Sequence, residues 1–184
     1  MLDYGVIQTD WGPFAWVASD RGLVATLLPD QYPRPIDRII ADRWPDARPS
    51  RRAPGNLSRA VVDYYKRRLV RFDMPLDLDG WTEFRRAVLN ACRRIPHGRT
   101  ASYADLARAA GRPAAVRAVG STMAQNPIPL IIPCHRVIRT DGTLGGFSSP
   151  DGVRTKRRML EWEGVGDLPL LTERMQHRHA AMTA

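Results

Sequence analysis

The chain has 184 residues, 43% of them hydrophobic, and its 28 lysines and arginines outnumber 19 aspartates and glutamates for a net charge of +9. That length suits one large domain or two small ones around a packed core. No apolar run is long enough to span a bilayer, no signal-peptide pattern opens the chain, and two cysteines, Cys92 and Cys134, are too few for a disulfide framework or a cysteine zinc site.

A reducing, cytoplasmic setting is the expectation, with nucleoid association if the source is prokaryotic. The positive balance fits a polyanionic partner such as nucleic acid, and fits a solvated basic surface equally well.

Residues 4–28 read as a β-meander. Tyr4 to Gln8, Phe14 to Ala18 and Leu23 to Leu28 are β-rich runs divided by turns at Asp10-Trp11-Gly12-Pro13 and Asp20-Arg21-Gly22. Prolines 29, 33 and 35 mark a loop, and Ile36 to Trp44 a short helix. The Pro/Arg-rich stretch from Pro45 to Gly55 reads as a surface loop. Asn56 is placed to cap a helix running to about Leu69, with Leu57, Val61, Tyr64 and Leu69 inward. Phe72 to Leu78 alternates like a strand and stops at Asp79-Gly80, where a domain boundary is expected.

Trp81 to Arg94 forms the next predicted helix, with Trp81, Phe84, Val88, Ala91, Cys92 and Ile95 on one face, so Cys92 reads as core. His97 falls in the turn after it, with no second ligand positioned to join it. Ser102-Tyr103-Ala104-Asp105 fits a capping box opening a helix to about Ala110. Gly111-Arg112-Pro113 breaks that helix, and Ala114 to Gln125 is a second one. The pair suggests a helix-turn-helix, or an ordinary helical hairpin. On the second helix Ala114, Arg117, Ser121 and Ala124 form a stripe of small residues around one long cation, with Ala118 and Gly120 also small. Such a face approaches another surface closely, either a neighbouring helix or a narrow groove.

Ile128 to Ile132 is an apolar run that ends at Pro133 and is followed by a thiol, an imidazole and a guanidinium, Cys134-His135-Arg136. The prolines at 129 and 133 disfavour a helix, so a short buried extended segment is expected. A free thiol is mostly protonated at neutral pH, and a neighbouring imidazole or cation activates it. Taken alone the pair is a weak signal, because cysteine is a common core filler.

The surrounding blocks sharpen it. They are Ser102-Tyr103, Arg117-Ala118-Val119-Gly120, Asn126-Pro127, Pro133-Cys134-His135-Arg136-Val137, Gly145-Gly146-Phe147-Ser148 and Glu163. In this order and spacing, Arg99 to Glu163 resembles the O6-alkylguanine-DNA alkyltransferase family, which repairs alkylated guanine in DNA. The resemblance fades before about residue 55 and after residue 165.

What the resemblance implies is an α+β chain of two domains. Residues 1–78 would be a supporting β-meander and helix domain, ribonuclease H-like. Residues 79–165 would be a mainly helical winged helix-turn-helix carrying catalysis and DNA binding; the small and polar composition from Gly164 onward separately reads 166–184 as a flexible tail. Cys134 would be the nucleophile, His135 its base through a water, and Glu163 the carboxylate behind the imidazole. Asn126 would brace the turn, and Tyr103 would donate to guanine N3. Arg117 would enter the duplex from the minor groove in place of an extruded nucleotide. Ala114, Ala115, Ala118, Ser121 and Arg136 would contact DNA, and Tyr103, Val137, Phe147 and Ser148 would line the base pocket. Transfer would be irreversible and once per molecule, from O6-alkylguanine, with O4-alkylthymine a second candidate. No cofactor or metal is implied, and the partner would be double-stranded DNA met by a monomer, with cooperativity on DNA left open.

Glu163 has a reading of its own. On a helix from Gly152 to Glu163 it shares a side with Lys156 and Leu160, near the buried face, where a carboxylate requires a partner such as His135. An exposed helix-terminal glutamate is the alternative. The sequence departs from the family at Phe147, where tyrosine is usual, in the run Ser149-Pro150-Asp151-Gly152, and at Leu89, where tryptophan is frequent. Two other functions remain in view. A lesion-sensing DNA binder would not need Cys134, and a cysteine hydrolase would turn over repeatedly.

Overall fold

The computed structural model describes residues 1–29, 34–149 and 151–166, a mixed α+β fold with six helices and a small sheet among them. The expected tail, Pro33 and Pro150 lie outside the described residues, apart from Gly166. Strands β1 (Asp3–Thr9), β2 (Gly12–Ser19) and β3 (Gly22–Leu27) form the antiparallel meander, and β4 (Arg48–Pro49) adds to β1 in parallel, for an order β3-β2-β1-β4. The first turn is closed by the Thr9 hydroxyl, which donates to Gly12 O at 2.6 Å and accepts from the Trp11 N–H at 3.2 Å.

Central strand β2 is buried on both faces, and alternation sorts its side chains. Ala15 packs with Leu27 against Ile36, Ile39 and Ile40 of helix α1 (Ile36–Arg43). Phe14, Trp16 and Ala18 face the other way, into the main core, where Leu57, Val61, Tyr64 and Tyr65 of α2 (Leu57–Tyr65) lie. That core is continuous across the expected boundary near residue 78, taking in Trp11 and Met74 as well as Val88, Cys92 and Met159.

Three local readings change in this half. Asn56 does not cap α2. Its side-chain amide donates to Arg71 O at 2.8 Å and its oxygen accepts from Asp73 N–H at 3.0 Å, so it fastens a later loop instead. The helix stops at Tyr65, and Leu69, expected inward, is 84% exposed. Phe72 to Leu78 forms no continuous strand. Leu76 makes a single bridge to Leu23, with Leu23 N–H donating to Pro75 O at 3.0 Å and Asp77 N–H donating to Leu23 O at 2.9 Å.

The C-terminal part is built on helices α3 (Glu83–Arg93), α4 (Tyr103–Ala109) and α5 (Val116–Ala124), which pack on one another. Thr82 caps α3, and Cys92 is fully buried on its inner face. Ser102 and Asp105 form the expected capping box, each side chain bonding the other's backbone N–H, at 3.0 Å and 2.8 Å. Strand β5 (Ala101–Ser102) pairs in parallel with β6 (Val137–Ile138). Helix α6 (Val153–Trp162) follows, with Glu163 at its C-cap.

Candidate active site

The buried apolar run from Ile128 ends at a 3-10 turn formed by Cys134, His135 and Arg136. Pro133 keeps it from being helix, and the turn is closed by Arg136 N–H donating to Pro133 O at 2.8 Å. The β5–β6 pairing sets Val137 and Ile138, which follow this turn, beside the start of α4, so Tyr103 stands near Cys134.

Behind the turn, Asn126 holds the loop as expected. Its amide donates to Ile132 O at 2.8 Å, and its oxygen accepts from Ile128 N–H at 3.1 Å. The N-terminal half supports the same loop from edge strand β3. Thr26 N–H donates to Pro127 O at 3.0 Å and the Thr26 hydroxyl donates to Pro129 O at 2.7 Å. Thr26 escaped sequence reasoning, since it is an ordinary strand residue until its partner 103 positions later is known.

Glu163 is the hub of the buried polar cluster. His135 Nε2 lies 2.7 Å from Glu163 Oε1, and neither side chain has solvent exposure. Arg136 reaches the carboxylate with two nitrogens, Nε to Oε2 at 2.8 Å and Nη2 to Oε1 at 2.9 Å, and donates its Nη1–H to Ile95 O at 2.6 Å. The Tyr64 hydroxyl donates to Oε1 at 3.0 Å and Gly98 N–H to Oε2 at 3.3 Å. Arg136 is therefore turned inward and engaged, rather than facing DNA as expected. An arginine fork against a buried carboxylate neutralises a charge that would otherwise be costly there.

These contacts fix protonation. Burial pushes Glu163 up, but the hydrogen bonds from His135 and Arg136 and the charge of Arg136 outweigh it and hold the carboxyl well below its ordinary range. Burial lowers the pKa of His135, only partly opposed by Glu163. The imidazole is thus neutral beside an ionised carboxylate that Arg136 balances. Because that carboxylate accepts, Nε2 carries the proton and Nδ1 presents its lone pair. Nδ1 is buried and has no hydrogen-bond partner among the described residues.

Burial also raises the Cys134 thiol, opposed by the nearby Asn126 amide and the charge of Lys156. Lys156 is fully buried on α6, donating to Val137 O at 2.5 Å and to Leu144 O, and burial lowers its pKa to about 8. Its ammonium lies 5.8 Å from the Tyr103 ring centroid. The helical stripe with Glu163 hinted at Lys156, but its two carbonyl acceptors belong to another part of the chain.

In front of Cys134 opens a cavity of about 740 Å³. Its wall is made by Tyr103, Met123, Gly145, Phe147 and Ser148, and its rim by Arg117 on α5 and Arg139 past β6. Gly145 has φ +68°, and a Cβ there would meet the Tyr103 hydroxyl at 2.9 Å, so glycine lets this wall lie against the phenol. The Ser148 hydroxyl donates to Ala124 O at 2.7 Å, tying the wall to the end of α5. Val137, expected in the base pocket, is fully buried in β6 behind the cavity. Arg117, Ala118 and Ser121 are exposed on α5, while Ala114 and Ala115 precede its first turn, which starts at Val116.

A family model described as "6-O-methylguanine DNA methyltransferase, DNA binding domain" matches residues 83–165. The methylated-DNA–protein-cysteine methyltransferase of Mycobacterium tuberculosis is 44% identical over 167 residues, covering 89% of this chain and 93% of its own length. The Salmonella typhimurium protein of the same name is 35% identical over 161 residues, covering 86% and 93%. The chain belongs to the methylated-DNA–protein-cysteine methyltransferase family. A crystal structure of the M. tuberculosis protein in complex with DNA superimposes with a TM-score of 0.71 at 34% identity, covering 88% of this chain and 92% of that one. Methyltransferase kinship thus extends over nearly the whole described chain, including the N-terminal sheet that the motif blocks alone did not reach.

Proposed function

We propose that this chain carries out direct-reversal repair, moving the alkyl group of O6-alkylguanine in DNA onto Cys134. The observation that carries this reading is the placement of a thiol on the lining of a cavity large enough to admit a purine, next in sequence to the buried His135–Glu163 pair. Nδ1 of His135 takes the thiol proton through a water, which satisfies both groups across the gap. Sulfur then attacks the alkyl carbon, an S–C bond forms, the C–O6 bond breaks, and its electron pair stays on guanine. The Tyr103 hydroxyl donates a hydrogen bond to N3 and eases the departure of guanine as an anion, and the proton taken up by His135 is available to neutralise it through solvent. The product is a thioether, which is not nucleophilic, so each molecule acts once.

A stacked base cannot reach this thiol, and extruding it costs a few kcal/mol. Arg117, standing on the exposed face of α5, fills the gap in the duplex, and the small residues Ala118 and Ser121 let α5 lie in the minor groove. Phe147 supplies a stacking face and the Ser148 N–H a donor for O6. A role for Ala114 and Ala115 at the DNA backbone belongs to the same reading, as does monomeric action on double-stranded DNA inside the cell. So does a two-domain division near residue 78, with a ribonuclease H-like N-terminal part whose sheet edge props the catalytic loop.

The test is direct. Duplex DNA carrying labelled O6-methylguanine is mixed in excess with the protein, and the label is expected on the peptide containing Cys134, one per chain. Label that stays on DNA, or repeated turnover, overturns the proposal.

A further inference from the structure

Arg139 is a cation that the reading above leaves without a task. It follows the short β6 segment and begins a tight turn, in which its N–H donates to Thr143 O at 2.8 Å and its carbonyl accepts from Gly142 N–H at 3.0 Å. The backbone is therefore pinned at both groups while the side chain is exposed. Among the described residues the guanidinium makes no side-chain hydrogen bond or ion pair. Neighbouring cations are engaged: Arg108 pairs with Asp105, Arg112 covers the Phe84 ring, and Lys156 is buried on two carbonyls.

Its position gives the unpaired charge a target. Arg139 and Arg117 both line the cavity that ends at Cys134, one from the turn after β6 and one from α5. Arg139 lies close enough to the interior for its charge to bear on Tyr103 and Lys156. A nucleotide that enters this cavity base first leaves its sugar and two flanking phosphates at the rim. A guanidinium there, planar and held by a fixed backbone, matches a phosphate in charge and in fork geometry.

We propose that Arg139 grips a phosphate flanking the extruded nucleotide, on the rim formed by the turn after β6, while Arg117 occupies the duplex. Arg139 is then a positioning residue. It holds the strand out while the base is seated, and takes no part in bond making. The inference rests on the alkyl-transfer reading, and wild-type transfer from duplex DNA is the control that separates the two. If wild-type protein transfers nothing, the function fails; if it transfers normally, only the role of Arg139 is under test.

Transfer rates are measured for wild type, Arg139→Ala and Arg139→Lys, on lesion-bearing duplex and on free O6-methylguanine base. Each phosphate flanking the lesion is replaced in turn by an uncharged methylphosphonate. Arg139→Ala is expected to slow the duplex reaction by roughly 3- to 10-fold more than the free-base reaction. The slope of log affinity against log salt should fall by about one. One methylphosphonate should slow wild type by a similar factor and leave Arg139→Ala unaffected, and Arg139→Lys should recover part of the loss. Equal slowing of duplex and free base would overturn the proposal, and so would methylphosphonate losses that multiply with the mutation.

Discussion

His135 Nε2 and Glu163 Oε1 stand 2.7 Å apart with no solvent on either side chain, yet the carboxylate's charge is balanced chiefly by Arg136. The imidazole is left neutral, with one nitrogen committed and the other available. The proposed base is thus held neutral at rest, and the adjacent carboxylate offsets part of the cost of charging it.

Removing the carboxylate strands Arg136. Glu163→Gln is expected to cost about 3–5 kcal/mol of stability, because the guanidinium stays buried without a counter-charge. Tyr64→Phe, which removes only one of the carboxylate's donors, should cost about 0.5–1.5 kcal/mol. Urea denaturation midpoints of the two variants, compared with wild type, check both the size and the order.

The same groups set acid stability. His135 is depressed in the fold, so its contribution is complete above the unfolded value of ~6.5 and is lost as pH falls through the lower folded value. Glu163 is also depressed, so its contribution is complete above ~4.3 and is lost further into acid. Stability should therefore decline in two stages below neutrality. In Glu163→Gln the more acid stage should shrink, as read from thermal melts between about pH 3 and 7.

Lys156 acts on the thiol from behind. Replacing it with Met removes a cation that favours the Cys134 thiolate and leaves two buried carbonyls without their donor. Lys156→Met should shift the pH dependence of Cys134 alkylation by a small haloalkane upward, and should cost about 2–4 kcal/mol of stability. Below about 8 the wild-type ammonium is charged, so the kinetic difference should be largest near neutral pH.

Cys134→Ala should abolish transfer while damaged duplex still binds, and Cys92→Ala should transfer at close to the wild-type rate. Mass spectrometry of the intact chain, with a gel-shift titration beside it, checks both. Arg117→Ala should slow repair in duplex more than transfer from free alkylguanine, a comparison read from single-turnover rates.

The sequence made short-range features legible and long-range ones opaque. The Ser102–Asp105 capping box could be read because both partners lie within one turn of helix. Asn56 carried an equally good capping signal, yet its amide is drawn to Arg71 and Asp73, a pairing that no local pattern announces. Phe72 to Leu78 alternates like a strand but docks on β3 through Leu76 alone, since alternation reports a half-buried run and not its hydrogen bonds. Cys134, His135 and Glu163 were found because the motif blocks give their spacing. Arg136 was given the wrong direction because a charged side chain reads as outward until its carboxylate, 27 positions on, is located. Tyr64 and Thr26 left no trace at all, being core and strand residues whose single polar atoms matter only once the two halves meet.

The position of Glu163, 28 residues beyond His135, sets an order of assembly on the ribosome. A nascent chain delivers the thiol and imidazole first, and these remain without their carboxylate until the end of α6 has left the exit tunnel and folded back. A chain truncated before residue 163 is therefore expected to keep the Cys134 thiol while lacking the carboxylate that pairs with His135 and Arg136.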